Sequence, residues 1–271
     1  MTSRALCLLV AGTSLVLAQA PVINNGGIGN LTNGQTPIAP GSLAVIFGTN
    51  LSSRTAQADT IPLSTNLGGV TVQFVNGSNT ISSPLVYVAP TDTAHGVISQ
   101  VNAQVPWNIV PNGVTATVNV IVSHDGLSSA PAPVTVGPFS PGIFASGGRA
   151  VVVNLDGTLA WPSGSVPGVV THPAKPGDVV IVYATGLGNV DSPIADGAAS
   201  LDKLRSNLTT PVVLVGGLSA QVAFSGLSPQ FVGVNQLNVV IPNAAPGDNV
   251  PIQIQVGGIT SPNTTTLAIG K

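Results

Sequence analysis

The chain contains one stretch of sequence twice. Pro40-Gly41-Ser42-Leu43-Ala44-Val45-Ile46-Phe47-Gly48-Thr49-Asn50-Leu51 is matched 136 residues later by Pro176-Gly177-Asp178-Val179-Val180-Ile181-Val182-Tyr183-Ala184-Thr185-Gly186-Leu187. Gln100-Val101-Asn102-Ala103-Gln104-Val105-Pro106 and Gln236-Leu237-Asn238-Val239-Val240-Ile241-Pro242 stand at the same spacing of 136. Two blocks in one order at one offset imply a duplicated domain. The period is too long for a solenoid, whose repeats run about 20–50 residues. Each copy must therefore close a core of its own.

Those cores are expected to be β. The chain has no Glu and no Met beyond the initiator, while Gly and Pro number 32 and 23, so strong helix formers are scarce and turn residues abundant. Val101, Ala103 and Val105 alternate with Asn102 and Gln104, and Ile252, Ile254 and Val256 with Gln253 and Gln255, the period of a half-buried strand. Pro40-Gly41, Pro176-Gly177 and Pro246-Gly247-Asp248 fit type II turns, where Pro presets φ and Gly accepts a positive one. His124-Asp125-Gly126 and Asp156-Gly157 between apolar runs read as hairpin turns. Short strands with one wet face bury the other against a second sheet. The expected fold is all-β, two tandem immunoglobulin-like β-sandwich domains over 19–137 and 138–271. Residues 138–173 form an inter-domain strand, a hairpin and a loop. An outer-membrane barrel needs strands of about 9–11 residues with aromatic girdles; aromatics are only 4% here and the alternating runs are shorter.

Residues 1–18 read as a signal peptide: Arg4, an apolar run from Ala5 to Leu17, and small residues at Val16-Leu17-Ala18 before the cut. The apolar run is shorter than the ~20 residues of a spanning helix, so no membrane span is expected in the mature chain. The single cysteine, Cys7, lies in this segment, which leaves the mature chain without disulfide, thiolate or Cys-based metal site. The expected destination is the extracytoplasmic space, whether periplasm, cell surface or medium.

Ile38-Ala39-Pro40-Gly41-Ser42 through Phe47-Gly48-Thr49-Asn50-Leu51 resembles the opening of IPT/TIG immunoglobulin-like domains. Gln104-Val105-Pro106-Trp107, Pro141-Gly142-Ile143-Phe144, Asn154-Leu155-Asp156-Gly157 and Lys175-Pro176-Gly177-Asp178 with Tyr183-Ala184-Thr185-Gly186-Leu187-Gly188 resemble the Solibacter-type C-terminal domain family of acidobacterial secreted proteins. That resemblance spans nearly the whole mature chain. It implies an extracytoplasmic β-sandwich and carries over no catalytic residue.

Charged residues make up 6% of the chain with a net charge of −2, which gives no electrostatic footprint for nucleic acid. His95, His124 and His172 are expected in exposed turns and loops, with no Gly-x-Ser-x-Gly elbow to make a hydrolase. Asp191, Asp196 and Asp202 lie in one loop, Gly188 to Asn207, which reads as a solvated loop or as oxygen ligands for Ca²⁺. Gly68-Gly69 and Gly216-Gly217 flank strands without opening a helix, so neither cradles phosphate. Sequons stand at Asn30, Asn50, Asn76, Asn207 and Asn263. Trp107 has Asn243 as its counterpart at the repeat offset, so the fold does not demand an indole there. It is expected to pack between the domains or to offer an apolar platform to a sugar or a partner chain. Trp161, in a Pro/Ser/Gly loop, is expected to be exposed and is the first choice as a contact residue.

The expectation is a secreted, non-enzymatic immunoglobulin-like protein for extracellular binding, adhesion or scaffolding, with no catalytic residue, metal or cofactor. Its partner would be an extracellular protein or polysaccharide. The alternatives are an accessory carbohydrate-binding or carbohydrate-active domain, and a ligand-free spacer.

Overall fold

A computed structural model describes residues 19–92, 94, 98–262 and 264–271. Residues 1–18, with Cys7 and the expected signal peptide, and also His95 and Asn263, lie outside the described residues. The chain is all-β. The first half contains β1 (Val22–Asn30), β2 (Leu43–Thr49), β3 (Ala56–Gln57), β4 (Val70–Asn76), β5 (Asn79–Ser82), β6 (Leu85–Ala89), β7 (Ser99–Gln104), β8 (Ala116–His124), β9 (Leu127–Ser128) and β10 (Ala132–Val136). The second half contains β11 (Gly142–Ile143), β12 (Ala145–Ser146), β13 (Arg149–Ala150), β14 (Val152–Asn154), β15 (Val179–Thr185), β16 (Val212–Val215), β17 (Leu218–Leu227), β18 (Asn235–Val240), β19 (Gly247–Val256), β20 (Ile259–Thr260) and β21 (Thr266–Ile269).

The two halves repeat down to the hydrogen bond. β2 and β7 pair with Leu43 opposite Gln104, and β15 and β18 with Val179 opposite Val240, the same register moved by 136. β6 bulges between Leu85 and Tyr87, and β17 bulges at the matching place between Val222 and Phe224. The Pro-Gly turns match as well. Ser42 N–H donates to the Ala39 carbonyl at 3.1 Å and Asp178 N–H to that of Lys175 at 3.0 Å, with Gly41 and Gly177 at φ 75° and 88°. Ile38 bridges Val136 in parallel, and Ala174 bridges Ile269. Each half has its own apolar core, one around Phe74, Ile46 and Leu85, the other around Leu237, Ile252 and Ile254.

Asp125 and Gly126 both have positive φ, as the two-residue hairpin from β8 to β9 requires. The third expected Pro-Gly turn does not form. Gly247 opens β19 opposite Ile269, because a bulge before Val250 draws the segment into the sheet.

One proline separates the halves in detail. In the first half Pro84, which has no N–H to continue a ladder, divides β5 from β6. That half is two five-stranded sheets, β1-β2-β7-β6-β3 and β10-β8-β4-β5, the latter with β9 paired to β8. The second half has no proline at this place, so β17 runs unbroken from β18 to β16. Its two layers are one path, β11-β15-β18-β17-β16-β19-β21-β13-β12.

The halves meet through polar groups. Gln104, 1% exposed, accepts from Gly197 N–H at 2.7 Å and donates to the Gly41 carbonyl at 3.3 Å. Asn30 donates to the Ser140 carbonyl at 2.6 Å, Thr185 Oγ1 accepts from Leu43 N–H at 3.1 Å, and Leu63 N–H donates to Gly197 at 2.8 Å. Phe139, in the connection, packs against the second core. Val240 stands where the first copy has Gln104, so the residue at the joint is one of those in which the copies differ.

Candidate functional site

Beside this joint lies a cleft that neither half makes alone. Its two contiguous lobes, of about 390 and 270 Å³, share Trp107, Asn108, Asn112 and Asn189. The first half supplies Asn76 and Asn79 from the β4–β5 hairpin and the run from Trp107 to Asn112. The second half supplies Asn189 to Ile194 and Leu208.

Local geometry fixes the walls. Trp107 follows β7 and Pro106, and its backbone N–H donates to Asp196 Oδ1 at 2.9 Å across the joint. Its indole is partly buried, with one face of the benzo ring laid on Gly41, where a Cβ would collide with the ring. Trp107 thus packs its ring on Gly41 of its own half and reaches the second half through its backbone N–H. Its buried Nε1–H has no hydrogen-bond acceptor. Asn76 donates to the Ile109 carbonyl at 2.9 Å and Asn79 to that of Asn108 at 3.1 Å, tying the hairpin to the Trp107 loop. The opposite wall is held by Arg205, buried in the loop that starts at Gly188. Arg205 bonds Asp202 through both terminal nitrogens at 2.6 and 3.0 Å, and also the Pro193 carbonyl and Ser200. This fork pulls the Asp202 carboxyl down to about 2.

The three aspartates of that loop therefore have separate occupations. Asp202 serves Arg205, Asp196 accepts from Trp107, and burial pushes the Asp196 carboxyl up from its ordinary value, partly offset by that N–H. Asp191 lines the cleft. Among the described residues no three of His, Cys, Asp and Glu gather as metal ligands.

Trp161 is the main correction. It is 8% exposed, and its Nε1–H donates to the Ala150 carbonyl at 2.7 Å. The Pro/Ser/Gly loop folds back under Thr171, whose hydroxyl donates to Pro162, while Ala160 N–H joins the Val152 carbonyl. These bonds turn the indole inward, so Trp161 is buried where the sequence suggests an exposed residue. His124 is also not exposed. It is 8% exposed and lies 3.2 Å from both Ser53 Oγ and Asp125 Oδ2. His172 pairs with Asp156 at 2.8 Å and faces the Pro173 carbonyl at 3.0 Å. Asp156 raises the His172 pKa, and Thr158 and His172 hold Asp156 well below the usual carboxylate range. With an acceptor at each ring nitrogen the imidazole is best satisfied as the cation, which leaves it no lone pair to act as a base. Of the sequons, Asn30 and Asn207 are buried.

A larger depression, of about 750 Å³, lies between the edge strands β1 and β10. The second half fills the equivalent gap with its own hairpin, β12–β13, where Thr266 N–H donates to the Gly148 carbonyl at 3.0 Å. The first half has only the bulge Asn24 to Gly27 there, and Pro133 in place of Thr266. Its lining has no aromatic or charged side chain. Proline on an open edge blocks strand addition, so this depression is a guarded edge.

The asparagine set went unread in the sequence, apart from Asn76 as a sequon. A signal existed in Trp107-Asn108-Ile109-Val110-Pro111-Asn112, the run that follows the end of the repeated block.

No family model matches the chain, and no curated protein does. Solved structures do. The Bacteroides ovatus mixed-linkage glucan utilization locus SGBP-B, in complex with a mixed-linkage heptasaccharide, is 12% identical, over 96% of this chain and 49% of that one, with a TM-score of 0.33. The chain thus spans about half the length of that protein. The titin domains z1z2 in complex with telethonin are 10% identical, over 94% of this chain and 100% of that one, with a TM-score of 0.21. Domains 5–6 of the S-layer protein SbsC are 11% identical, over 92% and 98%, with a TM-score of 0.26. The likeness is one of fold: tandem immunoglobulin-like β-sandwiches. Among the described residues no helix is long and apolar enough to cross a membrane.

Proposed function

We propose that this is an exported, non-catalytic binding protein that works by surface contact with an extracellular partner, in adhesion or scaffolding. One observation carries this reading: the tandem arrangement creates a cleft lined by Trp107 and by asparagine amides. Those of Asn108, Asn112 and Asn189 carry no internal hydrogen bond among the described residues. Gly41, Trp107 and Asp196 hold the cleft open through a hydrogen-bonded joint, so binding need not order it first. The occupied ring nitrogens of His172 argue against base catalysis at its pair with Asp156. The motifs shared with the Solibacter-type C-terminal domain family support an extracytoplasmic setting, reached through cleavage after Ala18.

The test immobilises residues 19–271 and challenges them with cell-envelope and extracellular-polymer fractions, alongside an Asn112→Ala/Asn189→Ala variant. Retention by wild type, strongly reduced in the variant, is the expected result. Equal retention by both proteins, or none by wild type, overturns the reading. Mass spectrometry of the exported protein should find Gln19 at the N-terminus; an intact Met1 there overturns the export claim.

A further inference from the structure

Resting on that reading, we infer that the junction cleft takes a neutral polysaccharide chain, bound by vicinal hydroxyls on the free amides with a sugar face toward Trp107. Each asparagine amide offers a donor pair and an acceptor side by side, the combination that two neighbouring sugar hydroxyls answer. Asn108 and Asn112 on one wall and Asn189 on the other place three such groups around the indole. Gly41 covers one face of the benzo ring, and the rest of the indole, which lines both lobes, offers an apolar patch with polar groups about it. This suits a pyranose with its C–H face and its hydroxyl edge. The two lobes follow one another past Trp107, in keeping with a chain rather than a single ring, and the larger falls within the roughly 300–1,000 Å³ of small-ligand sites.

The charges choose among glycans. No Lys or Arg lines the cleft, while Asp191 lines one lobe and Asp196 sits beneath Trp107. A uronate or sulfated polymer would meet carboxylates without a cation to answer it, whereas a neutral chain loses nothing. The indole also has a cost that packing alone does not explain. Its buried N–H is unpaired, a penalty of the kind usually avoided, and Phe could lie on Gly41 without it. The second copy keeps Asn243 there.

The test is native affinity electrophoresis of residues 19–271 in gels containing hydroxyethylcellulose, dextran, galactomannan or polygalacturonate. At least one neutral polymer should retard wild type. The Asn112→Ala/Asn189→Ala variant should bind that polymer about tenfold or more weakly, as expected for two lost hydrogen bonds, with an unchanged melting temperature. Trp107→Phe should keep the fold and weaken binding less. No retardation by any neutral polymer, equal retardation of the variant, or stronger retardation by polygalacturonate overturns the inference. Capture of an extracellular protein through the same asparagines without a gel shift overturns the glycan assignment alone. Absence of both overturns the binding reading with it.

Discussion

Gln104 is where the joint between the halves is most exposed to test. Its amide is buried and serves two backbone groups, the Gly197 N–H of the second half and the Gly41 carbonyl of the first. Gln104→Ala removes both bonds and leaves both groups in a dry place. Each buried group left unsatisfied costs about 1–3 kcal/mol, so the expected loss is about 2–4 kcal/mol with allowance for relaxation. For a cooperative unit of this size each kcal/mol is worth roughly 2–4 °C, so melting should fall by about 4–16 °C. The loss sits between the two cores, so the first effect is to uncouple them. Scanning calorimetry should show a single transition in wild type splitting into two. Gln104→Glu tests the same contact differently, since a carboxylate can still accept from Gly197 but cannot donate to Gly41. A Gln104→Ala variant that melts within 1 °C of wild type as one transition would falsify the view that this amide couples the halves.

Trp161→Phe keeps the ring and removes the donor to Ala150, so it should cost about 1–2 kcal/mol in urea unfolding and leave ligand binding untouched; a change in binding would restore Trp161 as a contact. Pro133→Thr, with Pro131→Thr beside it, gives β10 the outward N–H with which Thr266 of its counterpart β21 binds the Gly148 carbonyl next to β13. Light scattering should then report a larger mass than wild type, and equal masses would dismiss edge protection. His172 should titrate above 6.5 by NMR, because Asp156 favours its charged form. The stabilisation is then full below the unfolded value and is lost as pH rises through the folded one, a small effect for so exposed a pair. A His172 pKa unchanged in Asp156→Asn would show that the pair does not form.

Much of the fold could be read in advance because it rests on local chemistry repeated twice. The Pro40-Gly41 and Pro176-Gly177 turns need only a preset φ followed by a positive one, and the alternation in β7 and β19 needs only one wet face. Pro246-Gly247 uses the same letters and became the start of β19, because sheet pairing outweighed turn preference. Trp161 defeated the reading for a similar reason. Pro, Ser and Gly around it suggest a loose loop, while the hydrogen bonds that fold the loop under Thr171 join residues 11 and 9 positions apart, beyond the reach of any local turn motif. The cleft could not be foreseen from either copy, since Asn112 and Asn189 are brought together only by the docking of one half on the other. What the sequence did offer was the mismatch between copies. Gln104 against Val240 and Trp107 against Asn243 mark the places where the first half meets something the second does not.

The chain's two tryptophans make the most direct test, through the indole N–H signals of a ¹H–¹⁵N NMR spectrum during titration with the neutral polymer that retards the protein most. The Trp161 signal, locked to Ala150, serves as an internal standard. Ligand in the junction cleft should move the Trp107 signal saturably and leave that of Trp161 in place. A bound protein whose Trp107 signal stays fixed would place the ligand elsewhere and contradict the account.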